Sequence, residues 1–218
     1  MDLVCGIDEA GRGPVIGPMV MAGVIVDANQ EALLKKLGVK DSKQLMPKKR
    51  EELSKHIKNI VKKYKVVIIQ PQEIDEAVLS ATSNLNMLEA KKSADIINFL
   101  KPGMVYLDCP SNNIDAYTQE VKKYLNDKKT KIISEHKADQ NYVSVSAASI
   151  LAKVIRDKEI AKIQQTMKED IGSGYPSDPI TQVFLTKYHA KHPHIIRKSW
   201  APYKAIMDKE HQKTIGEF

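Results

Sequence analysis

The sequence predicts an α/β protein: a mixed β-sheet flanked by helices, followed by a helical C-terminal extension. Three observations carry that prediction. Through the first two-thirds of the chain, apolar runs of strand length alternate with longer stretches of helical periodicity. The first two apolar runs are joined by a Gly/Pro turn too short for a parallel crossover, so they pair antiparallel. Residues 104–108, a helical 114–125 and 131–134 then have the lengths of a strand, a crossover and a parallel strand. Both pairings in one chain make the sheet mixed.

The elements follow in order. Residues 2–8 and 19–26 are the hairpin strands. Pro47 opens a helix over 48–64, with Leu53, Ile57, Ile60 and Val61 on one face and lysines opposite. Lys65-Val66-Val67-Ile68-Ile69 is a third strand. Ser83 or Asn84 caps a helix carrying Leu85, Leu88, Ala94, Ile97 and Phe99 to a stop at Lys101-Pro102-Gly103. Residues 141–168 are a long helix whose first half is rich in small residues, which lets it lie close against a sheet. After the turn at 172–179, helices are expected near 179–191 and 201–213 with no strand between them. This divides the chain into an α/β body at 1–170 and a helical extension at 171–218. No internal repeat, low-complexity tract or flexible linker interrupts it.

Composition narrows the functional classes. A chain of 218 residues buries a core of its own. Its formal charge of +7 favours a polyanionic partner. No apolar run approaches the roughly 18–20 residues of a membrane span, and the first ten residues carry acids where a signal peptide carries bases. A cytoplasmic protein is expected. Two cysteines are too few for a disulfide framework or an all-cysteine zinc site. If Asp8 and Asp108 lie level on neighbouring strands, Cys5 and Cys109 are offset by about 13 Å at strand rise, beyond disulfide reach.

The chemistry concentrates in acids at element ends. Asp8 and Glu9 close the first strand, Asp108 closes the fourth, and Asp139 stands where the long helical region begins. Ligands of open α/β sheets gather beyond the carboxyl ends of parallel strands, so these acids can share one crevice. Consecutive strand residues face opposite sides, so Glu9 is expected to join by turning off the strand end. Each acid taken alone has a plainer role, Asp139 as a helix cap and Asp108 as a polar strand end. His189, His192 and His194 lack a nearby acidic or cysteine partner in the sequence and make a poor metal set.

These residues sit in a series of motifs: Asp8-Glu9-Ala10-Gly11-Arg12-Gly13-Pro14, Asp41-Ser42-Lys43-Gln44-Leu45, Tyr106-Leu107-Asp108, Ala138-Asp139, Val145-Ser146-Ala147-Ala148-Ser149-Ile150-Leu151-Ala152-Lys153-Val154-Ile155-Arg156-Asp157, and Gly172-Ser173-Gly174-Tyr175-Pro176-Ser177-Asp178-Pro179. In that order they resemble type 2 ribonuclease H, ribonuclease HII, over nearly the whole chain. Leu85-Asn86-Met87-Leu88-Glu89 is closer to the archaeal and eukaryotic branch than to the bacterial one.

The resemblance implies the ribonuclease H fold and a divalent-metal site of Asp8, Glu9, Asp108 and Asp139. Its reaction would be cleavage of RNA hybridised or joined to DNA, leaving 5′-phosphate and 3′-hydroxyl ends. Four carboxylates without a His or Cys ligand suit Mg²⁺ or Mn²⁺, two ions in the catalytic state. Gly11, Arg12 and Gly13 are the expected readers of the ribose, with Tyr175 resembling the family's tyrosine that lies against the junction. A tight turn and a turn aromatic are the plainer readings of these two features. Lys43, Ser42 and Arg12 are expected at phosphates, with Lys153 and Arg156 as further candidates that would otherwise pair with Asp157 or Glu159. Gln212, Ile215 and Phe218 resemble a sliding-clamp binding motif that stops one aromatic short, on a chain expected to be a monomer. The alternatives are another ribonuclease-H-like nuclease without the ribose reader, and an inactive hybrid-binding module, for which loss of one of the acids would be the sign.

Overall fold

A computed structural model describes residues 3–40, 42 and 45–215, excepting the side chains of 213–215. Among these residues a five-stranded sheet runs in the order β3-β2-β1-β4-β5, with β1 Val4–Ala10, β2 Met19–Val26, β3 Lys63–Ile69, β4 Met104–Asp108 and β5 Lys131–Glu135. As expected, β1 and β2 are antiparallel, with Asp8 opposite Ala22. β4 is parallel to both β1 and β5, and α5 (Ile114–Lys123) makes the crossover between β4 and β5. Strand β2 is buried along its whole length, which suits an apolar run with no polar alternation.

The helices are α1 (Ala28–Lys36), α2 (Pro47–Ile60), α3 (Pro71–Leu79), α4 (Leu85–Leu100), α6 (Ala138–Asn141), α7 (Val143–Thr166), α8 (Pro179–Tyr188) and α9 (Ala201–Ile215). Two of these, α1 and α3, were not anticipated, and two expected helices are shorter or broken. Helix α2 stops at Ile60 rather than Tyr64, because Lys62 N–H donates to Ile25 O at 3.1 Å and draws the chain into the sheet early. The region expected as one helix from residue 141 is broken at Tyr142, whose backbone is extended between α6 and α7.

The chain forms two compact units, and the boundary falls within α7. The first comprises residues 1–10, 20–68 and 85–156; the second comprises 11–19, 69–84 and 157–218. Each has its own core. In the first, Val20, Val24, Leu34, Leu53, Ile57, Ala147 and Leu151 pack together. In the second, Val15, Ile16, Ile171, Phe184, Leu185 and Ile196 do so. The second unit thus holds more than the C-terminal helices, because the turn after β1 is hydrogen-bonded into it: Val15 N–H donates to Gly174 O and Gly17 N–H to Ile195 O.

Within the first unit α7 lies on β1 backbone to backbone. A Cβ on Gly6 would stand 2.2 Å from the carbonyl carbon of Ser144 and 2.3 Å from Val145 N. Only glycine fits there, and the small residues at the start of α7 are what bring the helix down so far. That contact sets the depth at which Ser149, further along α7, meets the strand ends.

Candidate active site

Strand pairing sets the first two acids side by side. Parallel register runs from Val4 with Met104 to Ile7 with Leu107, so Asp8 and Asp108 are the next pair along. Glu9 joins them, though not as expected: β1 continues to Ala10, and the longer glutamate reaches the others from within the strand. Carboxylate oxygens of Asp8, Glu9 and Asp108 lie within 4.8 Å of one another. Among the described residues this trio is the acidic grouping with metal-ligand spacing; Asp139 is outside it but close enough for its charge to act on Asp8.

Asp8 is buried, and its carboxyl is held well above the usual carboxylate range. Burial is the main cause, followed by the negative charge of Asp108, with a smaller push from Asp139. Hydrogen bonds from the Ser149 hydroxyl and the Glu9 N–H, the latter 2.7 Å from Asp8 Oδ1, work in the opposite direction without winning. Clustered, desolvated carboxylates favour a proton until a cation neutralises them. Every donor in the trio is oxygen, so the group that fits is a hard divalent cation.

The other acids are placed by their neighbours. Asp108 Oδ1 accepts from Ala138 N–H at 2.8 Å and so fixes the start of α6, whose second residue is Asp139. The chain turns into α6 through Lys137 at φ 58°, a left-handed conformation that costs a non-glycine residue about 1 kcal/mol. Ser146 Oγ donates to the Asp139 carbonyl from one turn into α7. Beside Asp139 an open groove is lined by Lys35, Lys40, Gln140 and Asn141.

Of the residues expected at substrate, Ser42 is buried with its hydroxyl 2.9 Å from that of Ser149, behind Asp8. Lys153 is half-buried and Arg156 buried on α7. Lys43 and Phe218 lie outside the described residues, as does the side chain of Ile215; Gln212 is exposed on α9. In the second unit Gly13 and Tyr175 are neighbours, a Cβ on Gly13 meeting Tyr175 Cε1 at 3.9 Å. Gly11 has φ 81°, which its lack of a side chain permits, and Arg12 is half-buried. Tyr175 is exposed in a turn held by Asp178, which accepts from Ser173 N–H and Ile180 N–H.

Sequence reasoning passed over Ser149, Lys35, Lys40 and the fully buried Glu89, whose charge helps push up the Tyr117 hydroxyl and the Cys109 thiol after burial. Both cysteines are free and buried, as their offset required. His189 Nε2 and His192 Nε2 are each 3.4 Å from a glutamate oxygen of the second unit, of Glu210 and Glu169 respectively.

A mixed sheet with carboxylates gathered at the ends of β1 and β4 is the layout of ribonuclease-H-like nucleases, and the comparisons place the chain among them. The ribonuclease HII family profile matches residues 5–203. Ribonuclease HII of Pyrococcus furiosus is 45% identical, over 98% of this chain and 96% of that protein. Ribonuclease H2 of Pyrococcus horikoshii superposes with a TM-score of 0.85 at 41% identity, over 95% of this chain and 98% of the other. Ribonuclease HII of Archaeoglobus fulgidus, solved as a complex with PCNA, gives 0.82 at 38% identity, over 93% and 96%. This chain therefore belongs to the ribonuclease HII family, divalent-metal-dependent endonucleases of the ribonuclease H type. Among the described residues no helix is long and apolar enough to cross a membrane.

Proposed function

We propose that this chain hydrolyses the RNA strand of RNA/DNA hybrids and cuts duplex DNA on the 5′ side of an embedded ribonucleotide, leaving 5′-phosphate and 3′-hydroxyl ends. The observation that carries this reading is the convergence of Asp8, Glu9 and Asp108 within 4.8 Å around a buried Asp8 whose carboxyl is held above the usual range. Those three, with Asp139, would hold the divalent ions. Two such ions would supply a nucleophile at neutral pH and charge for the leaving 3′ oxygen of an in-line displacement. Mg²⁺ or Mn²⁺ matches the all-oxygen donors.

The protein's own part is orientation. Ser149 and the Glu9 N–H hold Asp8, with Ser42 supporting Ser149 from behind. Asp108 holds the peptide that leads into Asp139. Backbone groups of Gly11, Arg12 and Gly13 read the 2′-hydroxyl, the one atom that marks a ribonucleotide within DNA. Tyr175, adjacent to Gly13, packs against the sugars of the junction. Lys43, Lys153 and Arg12, with Lys35 and Lys40 beside Asp139, supply cations for the phosphates. Arg156 is buried, which argues against a direct phosphate contact.

The C-terminal tail is assigned to a sliding clamp through Gln212, Ile215 and Phe218, a reading supported by the complex formed by the Archaeoglobus relative. A peptide of residues 207–218 should bind the clamp weakly; calorimetry without heat at high micromolar peptide would remove the assignment.

The activity is tested with duplexes containing no, one or several ribonucleotides, in Mg²⁺ or Mn²⁺, with the cut mapped at nucleotide resolution. Cleavage 5′ to the single ribonucleotide, with all-DNA inert, is expected. A cut elsewhere, or equal cutting of all-DNA, would overturn the reading.

A further inference from the structure

Three consecutive carbonyls of the turn after β1 are taken up by two side chains from residues 197–200. Arg197 Nη2 donates to Gly11 O at 2.6 Å, Nη1 to Arg12 O at 2.9 Å, and Nε to Gly17 O at 3.0 Å. Trp200 Nε1 donates to Gly13 O at 3.2 Å, and its ring centre lies 4.9 Å from the guanidinium carbon of Arg197. Arg197 is fully buried. Its backbone N–H donates to Val15 O at 2.8 Å, which locks it to the same turn. The residues after it are pinned in turn by Asp75, whose carboxylate accepts from Lys198 N–H, Ser199 N–H and the Ser199 hydroxyl.

The consequence follows from peptide geometry. All peptide bonds described are trans, and in a trans peptide the C=O and the following N–H point in opposite directions. A guanidinium that holds Gly11 O and Arg12 O therefore aims the N–H groups of Arg12 and Gly13 away from itself. Gly13 is exposed, and among the described residues a Cβ there would meet Tyr175 alone within 4 Å. A guanidinium has five donors in a planar fork and can hold three oxygens at fixed angles, whereas an ammonium is a single point charge. Burying so large a cation is costly unless its donors are met, and here carbonyls of the reading turn meet them.

We infer that Arg197 is a positioning residue for ribonucleotide recognition: it acts through the Gly11–Gly13 backbone, setting the two N–H groups that meet the 2′-hydroxyl. This rests on the reading that the Gly11–Gly13 turn faces the ribose.

The test is Arg197→Lys, with Gly13→Ala alongside. Steady-state cleavage of a duplex carrying one ribonucleotide is measured in Mg²⁺, and an all-DNA duplex is used as a competitive inhibitor. Displacements near 1 Å cost about 100-fold in rate, so kcat/KM of Arg197→Lys should fall by about that factor. The inhibition constant of all-DNA should stay within about threefold of wild type, because phosphate contacts carry it. A merely structural arginine would give a parallel loss in both quantities, and that result, or kcat/KM within threefold of wild type, overturns the inference. Gly13→Ala adds a methyl group to the turn, 3.9 Å from Tyr175 and without a clash. If it cleaves like wild type, the underlying reading of the turn fails. If it is impaired while Arg197→Lys is normal, only the present inference fails.

Should Arg197→Lys not melt cooperatively, wild type decides. In metal-free buffer the amide protons of Arg12 and Gly13 should shift with the ribonucleotide duplex and not with all-DNA, while Arg197 Nε–H stays protected from exchange. Equal shifts with both duplexes, or a freely exchanging Nε–H, overturn the inference.

Discussion

Asp8 and Asp178 are the same side chain in opposite electrostatic situations. Asp178 caps α8 and is held below the usual carboxylate range, first by the Ser173 side chain and backbone N–H and then by the N–H groups of Ile180 and Thr181. Asp8 is held above it by burial and by the charges of Asp108 and Asp139. The donors around Asp178 are enough to hold its charge, whereas the two that reach Asp8, from Ser149 and the Glu9 N–H, are outweighed by burial and by neighbouring charge. An acid provided with donors is finished as a structural element. One gathered with other acids and left holding a proton is completed only by a cation from outside.

The comparison breaks most sharply at Asp108. Asp108→Asn keeps an oxygen to accept the Ala138 N–H, so the fold and duplex binding should survive. It removes a ligand and a charge, so turnover should fall at least 1000-fold, a loss of the size seen when a group acting only in the transition state is removed. Without metal the variant should melt slightly higher than wild type, since one repulsion is gone. Single-turnover cleavage above a tenth of the wild-type rate would contradict the assignment.

Next in size is Tyr175→Ala. It should lower kcat by roughly tenfold on a single-ribonucleotide duplex and leave the salt dependence of binding nearly unchanged, because that slope counts phosphate contacts. Filter binding across a salt series, next to initial rates, separates the two. An unchanged kcat would make Tyr175 a turn residue only.

Asp178→Ala sharpens the other arm. Losing the cap should lower the melting temperature by about 2–4 °C and, because Asp178 holds the turn that carries Tyr175, should lower cleavage per folded molecule by no more than Tyr175→Ala does. Calorimetry and active-site titration would read both.

The pH dependence is the most diagnostic, because the two acids have opposite signs. Asp178 is depressed in the folded state, so its stabilisation is present above the unfolded carboxylate range and lost as pH falls through its folded value. Asp8 is raised, so its contribution is full below the unfolded range and lost as pH rises through its folded value. In chelator, stability should therefore decline on going from weakly acidic to neutral and mildly alkaline pH. Asp8→Asn should flatten that decline, and Mg²⁺ should abolish it while releasing a proton on binding. A wild-type apo melting curve that rises steadily through the same window would refute the account of Asp8.

Much of this site was legible in the sequence because it depends on spacing within elements. Asp8 and Asp108 each stand at the end of an apolar run, and the parallel register of β1 with β4, which runs as far as Ile7 with Leu107, makes them the next pair along. Signals for the missed helices were also present: the Asp27 and Gln30 capping box opens α1, and Pro71 opens α3. Both helices are short, nine residues each, which leaves little room for a helical period to show. Other features could not have been read, since they join residues distant in the chain. Ser42 meets Ser149 across 107 residues, and Arg197 meets Gly11 across 186. No local periodicity encodes such a contact. The early end of α2 belongs with these, being decided by a backbone bond to Ile25.

Cys5 gives the molecule a clock. Its side chain is wholly enclosed in β1, three residues before Asp8, and burial pushes its thiol far above the ordinary range. In the closed protein it is thus neither accessible nor ionised, and only the thiolate reacts. Alkylation can proceed only when the central strand opens, so the labelling rate of this one sulfur times the opening of the strand that carries the acids. Metal that ties Asp8 to its neighbours should slow that rate by the factor it adds to local stability, a reading of metal occupancy that needs neither substrate nor turnover.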